Sequence, residues 1–96
     1  MITLRRIRAK RALILDVVHR NGARDIRIFG SVARGQQGLR SDLDVLVTME
    51  PGRSLLDLVA IKQDLEDMLG LPVHVVTEEA VSPYLRQRVL SEAEEL

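Results

Sequence analysis

The chain of 96 residues has no cysteine and no tryptophan, and its only aromatic residues are one tyrosine and one phenylalanine. The missing cysteine excludes disulfide bonds and any zinc site built from thiolates. The formal net charge is zero, so the overall charge gives no reason to expect direct binding of nucleic acid. No apolar run approaches the length of a membrane span, about 18 residues, and the N-terminal segment lacks the features of a signal peptide. We therefore expect a cytoplasmic protein that has no membrane partner.

What the chain does contain is enough for one modest core. Hydrophobic residues make up 46% of it and charged residues 29%. A chain of this length forms one domain at most, so we expect a single domain over residues 1–96. Any large acceptor would then have to be held by another chain.

The order of hydrophobic patterns predicts an α/β (α+β) fold, with a sheet of three strands packed against helices. The predicted elements are a helix from Leu4 to His19, a strand DIRIFG ending at Gly30, a short helix from Val32 to Gln36 capped by Ser31, a strand DVLVTM, a helix from Ser54 to Leu69, a strand PVHVVT, and a last helix capped by Ser82 with Pro83 in its first position. The DVLVTM strand is apolar almost throughout, which favours a central place in the sheet.

The stretch IFGSVARGQQGLRSDLDVLV, residues 28 to 47, joins a glycine-rich basic loop to two carboxylates at the head of an apolar strand. Gly30 and Ser31 lie where the predicted strand turns into the short helix, so backbone N–H groups would face a ligand there. Phosphate suits such a turn, because glycine allows close approach and the Ser31 hydroxyl can donate a hydrogen bond. A serine that only caps a helix is the alternative explanation.

Asp42 and Asp44 are two residues apart on a predicted strand, so their side chains project from the same face. Hard carboxylate oxygens suit Mg²⁺, which shares its remaining coordination positions with waters and substrate phosphates. The alternative is a strand that merely begins in solvent. However, Gly-Ser followed after ten residues by Asp-x-Asp would arise by chance in such a chain only on the order of once in a thousand.

The segment GSVARGQQGLRSDLDVLV resembles the signature of the DNA polymerase β-type nucleotidyltransferase superfamily, specifically its minimal branch, the MNT domain proteins of HEPN/MNT toxin–antitoxin pairs. The likeness continues through the leading helix, the segment LLDLVAIKQDLEDMLG and the segment VTEEAVSPYLRQRVLSEA. It implies a small nucleotidyltransferase-like fold with a three-stranded mixed sheet. It also implies transfer of AMP from ATP to a hydroxyl, with release of pyrophosphate. The implied partner is a cognate HEPN toxin with an acceptor tyrosine, and the chain would be its antitoxin.

The resemblance also assigns roles to individual positions. The nucleotide would be bound by Gly30, Ser31, Arg34, Gly35 and Ser41, and Mg²⁺, or alternatively Mn²⁺, would be held by the catalytic Asp42 and Asp44.

His74 departs from the superfamily pattern, which usually supplies a third carboxylate at this position of the next strand. Neutral imidazole is a poor ligand for Mg²⁺ and prefers softer ions. His74 could act as a general base, favour another divalent metal, mark a weakened or lost activity, or simply fill a face of the sheet. Glu78 and Glu79 could substitute for the missing carboxylate only over a long reach.

Three functions are compatible with the sequence. The first is an ATP- and Mg²⁺-dependent protein adenylyltransferase acting on a HEPN toxin, and the second is a catalytically impaired antitoxin that neutralises the toxin by direct binding. The third, a transferase acting on a small antibiotic-type acceptor, is disfavoured because the chain lacks the helical domain that usually forms the acceptor pocket. An exposed sheet edge or the amphipathic first helix could also pair copies of the chain.

Overall fold

The computed structural model describes residues 3–36 and 42–96, which form helices and strands in alternation. The helices are α1 (Leu4–Ala9), α2 (Arg11–Arg20), α3 (Gly30–Arg34), α4 (Leu55–Leu69) and α5 (Pro83–Glu92), with a 3₁₀ turn at Glu78–Ala80. The strands are β1 (Ala23–Phe29), β2 (Leu43–Met49), β3 (Val73–Thr77) and β4 (Glu94–Glu95).

The sheet has four strands in the order β3-β2-β1-β4. Strand β1 is antiparallel to both β2 and β4, whereas β2 and β3 are parallel. The predicted mixed sheet packed with helices is confirmed, but the predicted number of three strands is wrong. The fourth strand is Glu94–Glu95, which pairs with Arg27 and Ile28 of β1. Two glutamates have low strand propensity, so no pattern in the sequence indicated this strand.

The core lies between the sheet and the helices α1, α2 and α4. Its fully buried side chains include Ile7, Ile14, Val18, Ile28, Val45, Ile61, Leu65 and Val73. In β2 the consecutive residues Val45, Leu46 and Val47 are all buried, so both faces of this strand are covered. This confirms the central position that its continuous apolar run predicted.

Two helix boundaries differ from the prediction. The leading helix is divided at Lys10, which ends α1 and precedes α2. Helix α3 begins at Gly30 and has Phe29 as its N-cap, so Ser31 lies inside the helix and does not cap it. Helix α5 does start at Pro83 after Ser82, as predicted. Among residues 3–36 and 42–96, no helix has the length and apolar character needed to cross a membrane.

Candidate functional site

The two aspartates and the histidine singled out in the sequence meet at one end of the sheet. Asp42 immediately precedes β2, and the parallel register places Asp44 directly opposite His74 of β3. The His74 ring lies between the carboxylates: Nε2 is 3.1 Å from Asp42 Oδ2, and Nδ1 is 3.2 Å from Asp44 Oδ1. We call these three residues the acidic end of the site.

The contacts of His74 with the two carboxylates involve both of its ring nitrogens. A neutral imidazole carries one N–H, so both ring nitrogens can donate to the carboxylates only when the ring is protonated. Burial raises the pKa of the Asp44 carboxyl above its usual value, while the His74 contact and its charge lower it and the charge of Asp42 adds to the rise. The carboxylate pair is therefore costly to keep ionised unless a cation lies beside it.

Gly30 allows the Asp44 carboxylate to lie against the backbone. Its φ is +75°, in the left-handed region that favours glycine. A Cβ atom on Gly30 would overlap Asp44 Oδ2 and would lie only 3.1 Å from Asp44 Cγ. Any side chain at this position would therefore displace the carboxylate, which gives this glycine a structural reason independent of any ligand.

A cleft of about 320 Å³ extends from Asp44 between α3 and α5. Its lining comprises Phe29, Gly30, Ser31, Arg34, Asp44, Leu85, Arg88, Val89 and Glu92. The site thus combines the predicted Gly-Ser turn and one of the predicted aspartates with a wall supplied by α5.

The far wall of the cleft carries two arginines that share one carboxylate. Arg34 Nη1 lies 2.9 Å from Glu92 Oε2, and Arg88 Nε lies 3.2 Å from Glu92 Oε1. The hydrogen bond from Arg88, reinforced by the one from Arg34, lowers the pKa of Glu92. We call these three residues the basic end of the site.

Sequence reasoning missed the part that α5 plays in this cleft. Neither Arg88 nor Glu92 is among the site residues predicted from the sequence. A signal was present, because Leu85, Arg88, Val89 and Glu92 recur at the spacing of one helix stripe. Two of the four residues in the stripe are charged, so the stripe does not appear as an apolar helix face.

The remaining predicted residues lie in different places. Ser31 lines the cleft, whereas Gly35 has a φ of +71° and ends α3, with no atom of the described residues within 4 Å of where a Cβ would be. Ser41 falls outside the described residues. Glu78 and Glu79 are exposed on the 3₁₀ turn that follows β3.

The donor atoms of the acidic end fit Mg²⁺ only as a partial set. Within the described residues no group of three or more histidine, cysteine, aspartate or glutamate side chains is arranged to hold a metal ion. The carboxylates of Asp42 and Asp44 nevertheless both lie beside the His74 ring, and Mg²⁺ commonly takes one or two carboxylates and completes its shell with substrate phosphates and water. The residues therefore fit a metal that arrives together with a phosphate ligand.

Sequence comparison relates the chain to the nucleotidyltransferase domain and to proteins named as protein adenylyltransferases. Residues 10–96 match the family of the nucleotidyltransferase domain. A protein of Methanocaldococcus jannaschii assigned as a protein adenylyltransferase is 44% identical over 80 residues, covering 83% of this chain and 86% of that protein. The protein adenylyltransferase MntA of Thermococcus cleftensis is 36% identical over 77 residues, covering 80% of this chain and 78% of MntA.

Solved structures agree with the sequence relatives. A protein assigned as a minimal nucleotidyltransferase superposes with a TM-score of 0.87 at 46% identity, covering 99% of this chain and 97% of that one. A crystal structure of a toxin–antitoxin with AMP-PNP contains a chain that superposes with a TM-score of 0.72 at 25% identity, covering 85% of this chain and 68% of that one. The chain therefore belongs to the nucleotidyltransferase domain family, in the minimal branch that its motif at residues 30–47 indicated.

Proposed function

We propose that this chain is a cytoplasmic, ATP- and Mg²⁺-dependent protein adenylyltransferase that transfers AMP to a tyrosine hydroxyl of a cognate HEPN toxin, and that it acts as the antitoxin. The observation that carries the proposal is that Asp42 and Asp44 both contact His74 while Asp44 also lies against Gly30, in a cleft that Arg34 and Arg88 line as well. Such a cleft offers carboxylates for a metal ion and guanidinium groups for phosphate, which are the two requirements of phosphoryl transfer.

The relatives support the reaction class. The MntA of Thermococcus cleftensis is itself a protein adenylyltransferase, and it shares more than a third of the aligned residues with this chain. The toxin–antitoxin chain that superposes at 25% identity was crystallised with AMP-PNP, an analogue of ATP. An adenine nucleotide and a toxin partner are therefore the ligands we assign to this chain.

In the proposed reaction the acceptor oxygen attacks the α-phosphorus of ATP, the bond to the β-phosphate oxygen breaks, and pyrophosphate leaves. Arg34 and Arg88 would bind the phosphates, because guanidinium groups match phosphate oxygens in geometry and charge. Asp42 and Asp44 would hold Mg²⁺, which when bound neutralises phosphate charge. Gly30 and Ser31 form the adjoining part of the cleft, where the backbone can approach the nucleotide closely.

The test is an intact-mass measurement on the HEPN-type protein encoded beside this chain, after incubation with this chain, ATP and Mg²⁺ or Mn²⁺. We expect the partner to gain one or more AMP units. The variant Asp42→Asn/Asp44→Asn should fold but lose at least about a hundredfold in transfer rate, since charge stabilisation by a metal is worth several kcal/mol. The control is Asp67→Asn, which removes a carboxylate from an exposed position on α4 and should leave transfer unchanged.

A second function is favoured by one observation, the position of His74 between the two carboxylates. If the ring holds both aspartates permanently, the chain would neutralise its toxin by binding alone. An unmodified partner that still co-purifies with this chain and loses its toxic activity would establish that function. Transfer retained by the folded double variant would instead contradict the assignment of Asp42 and Asp44 as metal ligands.

A further inference from the structure

The single tyrosine of the chain, Tyr84, directly precedes Leu85, the first residue of α5 that lines the cleft. It is the second residue of α5 and its side chain is 95% exposed. A large ring this exposed contributes little to the core, so the stability of the fold does not explain its position.

Helix geometry places Tyr84 next to the residues that line the cleft. The lining residues of α5 are Leu85, Arg88, Val89 and Glu92. Tyr84 directly precedes the first of these and lies four residues before Arg88, so Tyr84 and Arg88 are neighbours on the helix surface. Pro83 starts the helix and fixes the backbone immediately before the tyrosine. The phenol is therefore presented to solvent from a defined position at the mouth of the site.

The chemistry of Tyr84 matches the acceptor in the proposed function. A phenol is a hydroxyl group of the kind that accepts AMP in the proposed function. The other exposed hydroxyl nearby is that of Ser82, two residues away, which is an aliphatic alcohol. Because Tyr84 protrudes from the surface, the active site of another molecule can reach it as an acceptor.

Charge also favours an encounter between two copies. The net charge of the chain is zero, so two copies do not repel each other as whole molecules. Tyr84 is flanked on the helix surface by Arg88, which is largely exposed, whereas the acidic end carries two carboxylates and would face a nucleotide triphosphate. A basic flank approaching an anionic site is a complementary arrangement.

We propose that Tyr84 is a second acceptor of this enzyme: the site of one copy transfers AMP to the Tyr84 oxygen of another copy. This inference rests on the proposed function. The Tyr84 oxygen forms a bond to the α-phosphorus of ATP, the bond from that phosphorus to the bridging oxygen breaks, pyrophosphate leaves and the phenolic proton passes to water. The product carries a phosphodiester at the mouth of its own cleft, so the modified copy would take up a nucleotide or a partner less readily.

The test mixes two variants that can be separated by mass. The donor copy carries Tyr84→Phe with an intact site, and the tagged acceptor copy carries Asp42→Asn/Asp44→Asn with Tyr84 in place. The mixture also contains the HEPN-type partner, ATP and Mg²⁺ or Mn²⁺. We expect the acceptor copy to gain one AMP unit at Tyr84. An acceptor with Ser82→Ala should be modified equally, and an acceptor with Tyr84→Phe should not be modified.

A dilution series of the unaltered chain with ATP tests the same inference without any variant. Halving the chain concentration should halve the rate of modification per chain, since the transfer joins two copies. An unmodified acceptor in a tube where the HEPN-type partner gains AMP overturns the inference and leaves the proposed function standing. Modification at a residue other than Tyr84, or at a rate per chain independent of dilution, also overturns it. If neither protein gains AMP, both proposals fail.

Discussion

The acidic end and the basic end of the site have similar arrangements of side chains, but different secondary-structure elements carry them. At each end one residue lies between two residues of like charge: His74 between two aspartates, and Glu92 between two arginines. The acidic end is carried by adjacent parallel strands, whereas the basic end is carried by side chains of α3 and α5. Hydrogen bonds between strands therefore hold the acidic end in place, whereas the basic end consists of long, flexible side chains.

The difference indicates what each end can do. Carboxylates held by a sheet cannot follow a ligand far, so the acidic end suits a small ion whose position must be reproducible. Arginines on two separate helices can adjust to a polyphosphate, and Glu92 keeps them near the cleft until an anion arrives. In the proposed reaction the metal would take the place of the His74 contacts, and the phosphates would take the place of Glu92.

The substitution expected to disturb the acidic end most is Gly30→Ala, and Gly35→Ala is its matched control. Both glycines have φ near +70°, so both substitutions share a backbone cost of about 1–2 kcal/mol. Only at Gly30 does the new Cβ overlap Asp44, while the surroundings of Gly35 are open. We expect Gly30→Ala to lose nearly all transfer and to be the less stable of the two, and Gly35→Ala to keep most transfer. Urea denaturation and the intact-mass assay measure both effects.

Equal losses of transfer in the two alanine variants would show that the close approach of Gly30 to Asp44 is unimportant. The loss would then come from backbone strain in α3 alone.

The acidic end was the part of the site most accessible from sequence. The alternation of side chains along a strand places Asp42 and Asp44 on one face whatever the rest of the chain does. The position of His74 followed from the resemblance, and the parallel pairing of β2 with β3 now gives it a structural cause. The apolar run of β2 likewise predicted a central strand, because only a strand covered on both faces tolerates such a run.

The basic end was inaccessible for a physical reason. Arg34 and Glu92 are 58 residues apart in sequence, and their contact depends on how α5 packs beside α3. No local pattern encodes that packing. Strand β4 was missed for a related reason: its two glutamates pair with β1 through their backbones, and backbone pairing is independent of side-chain type.

The variant His74→Asp should strengthen Mg²⁺ binding at the acidic end, because it adds a hard oxygen ligand and removes the imidazole from between the carboxylates. Three neighbouring carboxylates repel one another without a cation, so we expect the variant to melt below the unaltered chain in EDTA. Added Mg²⁺ should raise its melting temperature more than that of the unaltered chain, because only a folded site binds the ion. Transfer with Mg²⁺ should rise severalfold.

A control variant tests whether the effect depends on the position of the new carboxylate. His19→Asp makes the same substitution at an exposed position on α2, where no Mg²⁺-dependent change is expected. A loss of transfer in His74→Asp, with the Mg²⁺-dependent rise in melting temperature still present, would show that the imidazole itself takes part in the reaction as a base.

The basic end is tested by Glu92→Gln, which removes the negative charge between Arg34 and Arg88. The freed guanidinium groups should bind the triphosphate more tightly, by about two- to fivefold in Kd, the range expected for partly exposed ion pairs. Equilibrium binding of AMP-PNP measures the change. The control Glu94→Gln removes the same charge two residues later, beside Arg8, and should leave the affinity unchanged. Weaker binding in Glu92→Gln would mean that Glu92 positions the arginines and does not compete with phosphate.

The smallest expected effect concerns the anchoring of the strand that carries His74. Glu66 Oε2 accepts hydrogen bonds from the Val73 backbone N–H at 3.0 Å and from Lys62 at 2.9 Å, and Lys62 also donates to the Val73 carbonyl at 2.8 Å. The Val73 hydrogen bond is the main reason that the pKa of Glu66 is lowered from its usual 4.5.

A carboxyl whose pKa is lower in the folded state stabilises the fold above its unfolded pKa, and that contribution is lost as the pH falls through the folded value. Glu66→Gln should therefore lower the urea midpoint slightly at neutral pH, and the difference from the unaltered chain should shrink as the pH falls below the usual glutamate pKa of 4.5. A difference that persists unchanged into acid would show that packing of the side chain, and not the charge of Glu66, holds the start of β3.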